Sequence, residues 1–151
     1  MAFPMNPASK PDAHQSLTGV RLRKHADYQR AYAAARKYQS HSMSWFLAPQ
    51  PAAGGAHALP ASPRVGLTVP KALGKAHDRN RIKRRMREVL RRHVDLLPPG
   101  FDLILHPRRS VLTIEFARLE GETVRVLRQA RTEASHAGDL ARPAPASGPA
   151  Q

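Results

Sequence analysis

Residues 65–88 read VGLTVPKALGKAHDRNRIKRRMRE, and the change of period inside this stretch decides the fold. In the run from 64 to 70, Val65, Leu67 and Val69 point one way and Gly66 and Thr68 the other, the alternation of a half-buried strand. Pro70 cannot donate to a ladder and ends it. Past the turn the period becomes helical. Ile82, Met86, Val89, Leu90, His93, Val94 and Leu97 recur at spacings of three and four, which predicts a helix over 79–97 with one apolar face to seat on a sheet. Asp78 is its expected N-cap, with a carboxylate able to accept free amide hydrogens of the first turn.

The rest of that helix is basic. Arg81, Lys83, Arg84, Arg85, Arg87, Arg91 and Arg92 occupy it with Glu88 as the only acid, and Arg79 sits at the edge of the apolar arc. Like charges three or four residues apart cost a helix a few tenths of a kcal/mol each, roughly, so a merely solvated face gains nothing from such a row. An RNA backbone reverses the sign, because guanidinium groups pair with phosphate and release condensed counterions. A membrane-surface helix fits less well, since the apolar arc is needed to close a small core. Asn80, between two arginines, adds a donor and an acceptor, suited to a base edge, a 2′-hydroxyl or a hydrated metal ion, or serves only as a polar residue at a helix start.

Outward from this stretch, residues 27–38, DYQRAYAAARKY, place Tyr28 and Tyr32 on one face of a first helix. Residues 40–48 alternate, with Met43, Trp45 and Leu47 on one face and Ser42, Ser44 and Phe46 on the other, a strand whose second face is polar apart from one ring. After the basic helix, a turn at 98–100 leads into a short strand over 101–105. Thr113 is the expected cap of a last helix whose stripe is Phe116, Leu119, Thr123, Val126, Leu127 and Ala130. The order helix, strand, strand, helix, strand, helix predicts an α+β fold, a two-layer α/β sandwich with a small sheet and one face partly open. Residues 1–19 and 133–151 lack periodicity and read as disordered tails, and 49–63 as a long mobile hairpin loop, so the ordered domain is expected over 20–132.

The 151 residues carry 25 Lys plus Arg against 11 Asp plus Glu, a formal charge of +14, which points to a polyanionic partner. With no cysteine, a disulfide framework and a thiolate zinc site are excluded. The beginning of the chain has no apolar core of signal-peptide length, and no run of about 18 apolar residues occurs. An intracellular, cytoplasmic setting without a membrane partner is the expectation.

The strand, the turn holding Lys71, Gly74 and Lys75, the arginine–asparagine–arginine run at 79–81 and the continuation through Glu88 together resemble the signature region of bacterial ribonuclease P proteins, and the similarity extends over 21–131 apart from the 49–63 loop. The resemblance implies a central sheet with a left-handed βαβ crossover, against the usual right-handed rule. It implies an RNA-binding subunit that helps a catalytic RNA, the ribonuclease P RNA, remove the 5′ leader from precursor tRNA, an endoribonuclease reaction. By that resemblance Arg79, Asn80, Arg81, Lys83, Arg84 and Arg87 contact the catalytic RNA. Tyr28, Tyr32 and Phe46, with Thr68 and Lys71 beside them, hold the single-stranded leader, and rings beside cations are what such a platform needs. Three features depart from the family pattern: His41, the length of the 49–63 loop, and Leu105, His106 and Pro107 at the end of the last strand.

No paired carboxylates and no metal-ligand spacing stand out, so no catalytic residue is expected in the protein. The resemblance assigns the chemistry to the RNA, whose bound Mg2+ activates water. Two other readings predict different behaviour: a ribosomal or other basic nucleic-acid-binding protein without a role in tRNA processing, and a protein-only nuclease.

Overall fold

The computed structural model describes residues 17–51 and 62–141. Its regular elements are α1 (His25–Ala34), β1 (Arg36–Gln39), β2 (Met43–Pro49), β3 (Arg64–Leu67), α2 (Ala76–Arg92), β4 (Phe101–Pro107) and α3 (Phe116–Ala141). The four strands form one sheet in the order β1-β2-β4-β3, antiparallel except where β3 runs parallel to β4. Helix α2 makes the crossover between that parallel pair. The architecture is the expected α+β sandwich.

One sheet face, carrying Met43, Trp45, Leu47, Val65, Leu103 and Leu105, is buried against α2 and α3. Ile82, Met86, Val89 and Leu90 come from α2, and Leu119, Val126, Leu127 and Ala130 from α3, so both predicted stripes are the surfaces that pack. The opposite face is covered only in part, by α1, through a smaller cluster of Leu22, Ala31, Ala48 and Ile104. Since Ala31 is the only buried residue of α1, burial alone holds this helix weakly. A charged clamp adds to it. Asp102, 2% exposed on β4, accepts a two-pronged contact from Arg64, with Nε at 2.8 Å and Nη2 at 2.9 Å, and Arg64 also reaches Asp27 in the first turn of α1 at 3.3 Å.

Several boundaries differ from expectation. The first helix stops at Ala34, not 38, because Ala35 turns extended and residues 36–39 add β1 as an unforeseen edge strand. Tyr38 pairs with Trp45 there and stacks on it at 4.3 Å, a tertiary contact that outweighs the helical preference of the alanine-rich run. Helix α2 starts at Ala76, with Lys75 as N-cap and Asp78 inside the first turn, where its charge still complements the helix dipole. The start moves because Gly74, at φ 140°, makes the turn and leaves Ala76 and His77 free to join the helix. It ends at Arg92, not 97: a separate short turn carries Val94–Leu96, and Leu97 before Pro98 is extended yet buried. Strand β3 is shorter than 64–70 and β4 longer than 101–105.

Thr113 closes a short turn and does not cap α3, which begins at Phe116. That helix continues to Ala141, so residues 133–141, expected in a disordered tail, are helical; the first turns already pack on the core, and adding a residue to a formed helix costs little. The outer parts of both expected tails, 1–16 and 142–151, and the centre of the 49–63 loop, 52–61, lie outside the described residues.

Candidate nucleic-acid interface

Helix α1 lays Tyr28 and Tyr32 over the partly open sheet face, one turn apart, with ring centroids 6.4 Å apart. Tyr32 meets the Phe46 ring edge-on at 5.1 Å, and its hydroxyl lies 3.2 Å from Thr68 Oγ1. The three expected rings and Thr68 are therefore brought together. Lys71 is exposed in the turn beyond Thr68. Burial and the neighbouring Tyr32 push the Tyr28 hydroxyl upward, so it stays protonated across the physiological range. Two further side chains complete the cleft. Lys37 Nζ stands 5.8 Å from the Phe46 centroid, because β1 pairs Lys37 with Phe46, and His106 on β4 packs against Phe46 at 4.9 Å.

The basic row of α2 divides into clasped and free members. Arg79 donates to the Gly74 carbonyl at 3.1 Å, Arg81 to the Leu112 carbonyl at 3.3 Å, and Arg85 to the Ile114 carbonyl, so these three bind neighbouring turns to the helix. Arg91 and Arg92 pair with Glu88, and Arg92 also with Glu120. Asn80, Lys83, Arg84 and Arg87 have neither hydrogen-bond nor ion-pair partners among the described residues; Asn80 and Arg84 are exposed, Lys83 and Arg87 half-buried. Lys83, Arg87 and Arg91 face Arg21, Tyr28 and Gly66 across a groove of about 660 Å³. Burial and then the nearby Arg21 and Arg91 charges push the Arg87 guanidinium downward. The groove joins the aromatic cleft to the free cations of α2. Of the aromatic cleft it is Tyr28 that lines the groove, and of the unpaired cations of α2 Lys83 and Arg87.

A family model described as Ribonuclease P matches residues 18–131. The chain belongs to the ribonuclease P protein family. A ribonuclease P protein component from Thermobifida fusca is 32% identical over 122 residues, 77% of this chain and 81% of that protein. One from Finegoldia magna is 28% identical over 111 residues, covering 74% and 90%. With the Thermotoga maritima component the identity is 44% over 62 residues, 41% of this chain and 52% of that protein, so this match spans about half the relative's length. Among solved structures, the ribonuclease P protein of Thermotoga maritima superposes with a TM-score of 0.60 at 25% identity, covering 72% of this chain and 96% of that one. The Staphylococcus aureus protein does so at 0.59 and 25%, covering 74% and 94%.

Within this ribonuclease P protein fold, sequence reasoning singled out His106 only as a departure from the family pattern and did not place Arg21, Lys37 or Gly66 beside the candidate site. His106 was legible, since it alternates with Ile104 once β4 is carried to 107, whereas Lys37 required an edge strand that local propensity conceals. Gly66 lies under Tyr28: a Cβ there would come within 2.8 Å of the ring carbon Cζ. Gly66→Ala is therefore expected to expel Tyr28 from its seat, at about 1–3 kcal/mol of stability, and to lower affinity for single-stranded RNA. Urea unfolding and an oligonucleotide titration check this; unchanged affinity would mean that the seat of Tyr28 is irrelevant to binding.

Proposed function

We propose that this chain is the RNA-binding protein subunit of ribonuclease P and assists the catalytic RNA in removing the 5′ leader of precursor tRNA. The observation that carries the reading is the continuous surface from Phe46 and Tyr32, over Tyr28, to Lys83 and Arg87. A ring platform accepts unpaired bases whatever their sequence, and a row of unpaired cations accepts phosphates. On this reading Tyr28, Tyr32, Phe46, Thr68 and Lys71 hold the leader, while Asn80, Lys83, Arg84 and Arg87 contact the ribonuclease P RNA. Arg79 and Arg81 act there with their outer nitrogens, because Nε of each is held by a backbone carbonyl.

The chemistry belongs to the RNA subunit, with Mg2+ bound mainly by RNA. Supporting this, Asp27 and Asp102 are committed to Arg64, and Glu88 and Glu120 to arginines of α2. The cytoplasm, where precursor tRNA is made in bacteria, is the proposed location. No helix among the described residues is long and apolar enough to cross a membrane.

Reconstitution tests the proposal. Added to ribonuclease P RNA and precursor tRNA at low Mg2+, the protein is expected to stimulate release of the 5′ leader, by lowering the cost of bringing two polyanions together. No stimulation would sink it and favour another nucleic-acid-binding role; cleavage by the protein without RNA would move the chemistry to the protein.

A further inference from the structure

His106 is the imidazole of the cleft, and it belongs to none of the roles above. Its ring stands perpendicular to Tyr32 at 5.8 Å and tilted against Phe46 at 4.9 Å. Nε2 lies 2.7 Å from the Tyr32 hydroxyl, which in turn lies 3.2 Å from Thr68 Oγ1. Nδ1 has no hydrogen-bond partner among the described residues. The side chains facing the ring are Tyr32 from α1, Lys37 from β1, and Ser44 and Phe46 from β2, with Thr68 behind the Tyr32 hydroxyl; none is a carboxylate.

This arrangement lets the ring change charge without losing its partner. When neutral, Nε2 accepts the Tyr32 O–H and Nδ1 carries the proton. When cationic, Nε2–H donates to the Tyr32 oxygen, and the hydroxyl proton turns toward Thr68 Oγ1. Desolvation, followed by the Lys37 charge, pushes the imidazole below its ordinary value, so in the free protein the ring is neutral at neutral pH. What the cation lacks is an anion. A phosphodiester entering beside Nδ1 and Lys37 supplies one.

We propose that His106 is a leader contact and that it takes up a proton when the phosphate backbone of the leader binds, becoming a second cation beside Lys37. The proposal rests on the leader-cleft reading given above. By linkage, a proton taken up on binding makes binding tighter as pH falls. The sign in the free protein is opposite. There the lowered folded-state value makes the neutral ring's contribution to stability fully present above the ordinary histidine pKa and lost as pH falls below it, so acid loosens the empty cleft and tightens the filled one.

The test uses the protein reconstituted with ribonuclease P RNA and measures binding rather than cleavage, since phosphodiester hydrolysis itself depends on hydroxide. Dissociation constants are taken for precursor tRNA with a leader and for leaderless tRNA between about pH 8 and about pH 5.5, the interval a histidine spans. With wild-type protein the affinity for leader-bearing RNA is expected to rise on acidification roughly two- to fivefold more than that for leaderless RNA, the size of one added exposed ion pair. His106→Gln should abolish the difference in pH response, and His106→Arg should hold affinity near the acid level throughout. A leader preference whose pH response survives in His106→Gln overturns the proposal alone. Wild-type protein that binds both RNAs equally at every pH overturns the leader reading and the proposal with it.

Discussion

Replacing Lys83, Arg84 and Arg87 together with alanine is expected to weaken binding to ribonuclease P RNA by about 10²-fold and to flatten the salt dependence by about 2–3 in log–log slope. These are the basic side chains of α2 that neither clasp a backbone carbonyl nor pair with an acid among the described residues. Each phosphate contact releases condensed counterions, so three lost contacts appear as a change of slope and not only of affinity. Stability should move the other way. Lys83 and Arg87 are four residues apart and Arg84 and Arg87 three, so removing them relieves a few tenths of a kcal/mol, roughly, of like-charge repulsion along the helix. The contrast with Arg79, Arg81 and Arg85 is informative: alanine at those sites removes hydrogen bonds to Gly74, Leu112 and Ile114 and is expected to cost stability as well as affinity. Filter binding across a salt series, beside urea unfolding, separates the two groups. An unchanged slope in the triple variant would remove α2 from the RNA interface.

Tyr28→Ala with Phe46→Ala should weaken binding of precursor tRNA bearing a leader by about 10²-fold and leave mature tRNA nearly unaffected, because stacking contributes roughly 1–3 kcal/mol per base and mature tRNA has no leader base to stack. Phe46 rests against Tyr32 and His106, and Tyr28 covers Gly66, so alanine also leaves exposed gaps on the sheet face. Leucine at both positions controls for this, since it retains apolar volume and removes the ring faces. If the leucine pair binds leader-bearing RNA as wild type does, stacking is not the source of the grip. Equal weakening of leader-bearing and mature tRNA by the alanine pair would place these rings outside any leader path.

How far each element could be read depended on where its information lies. The stripes on α2 and α3 were legible because burial imposes a helical period on the residues themselves: Ile82, Met86, Val89 and Leu90 are all in the core. The two faces of β2 were legible for the same reason at period two. Strand β1 was not. Arg36, Lys37, Tyr38 and Gln39 follow an alanine-rich helix with no break that local chemistry announces, and only pairing with Leu47, Phe46, Trp45 and Ser44 makes them a strand. The Arg64 clamp was equally hidden, since its partners Asp27 and Asp102 lie 37 and 38 residues away.

Residue types and periods alone determined the α+β class, the apolar seats of α2 and α3, the basic row of α2 and the expectation of a polyanionic partner. Each of these is a property of one segment, or of composition. Tertiary structure decided which cations of that row are free and which are spent on Gly74, Leu112 and Ile114. It also set Tyr28, Arg21 and Gly66 across one groove from Lys83 and Arg87, and brought Lys37 and His106 beside Phe46. Those facts are distances between segments far apart in the chain, and a linear pattern holds no term for them.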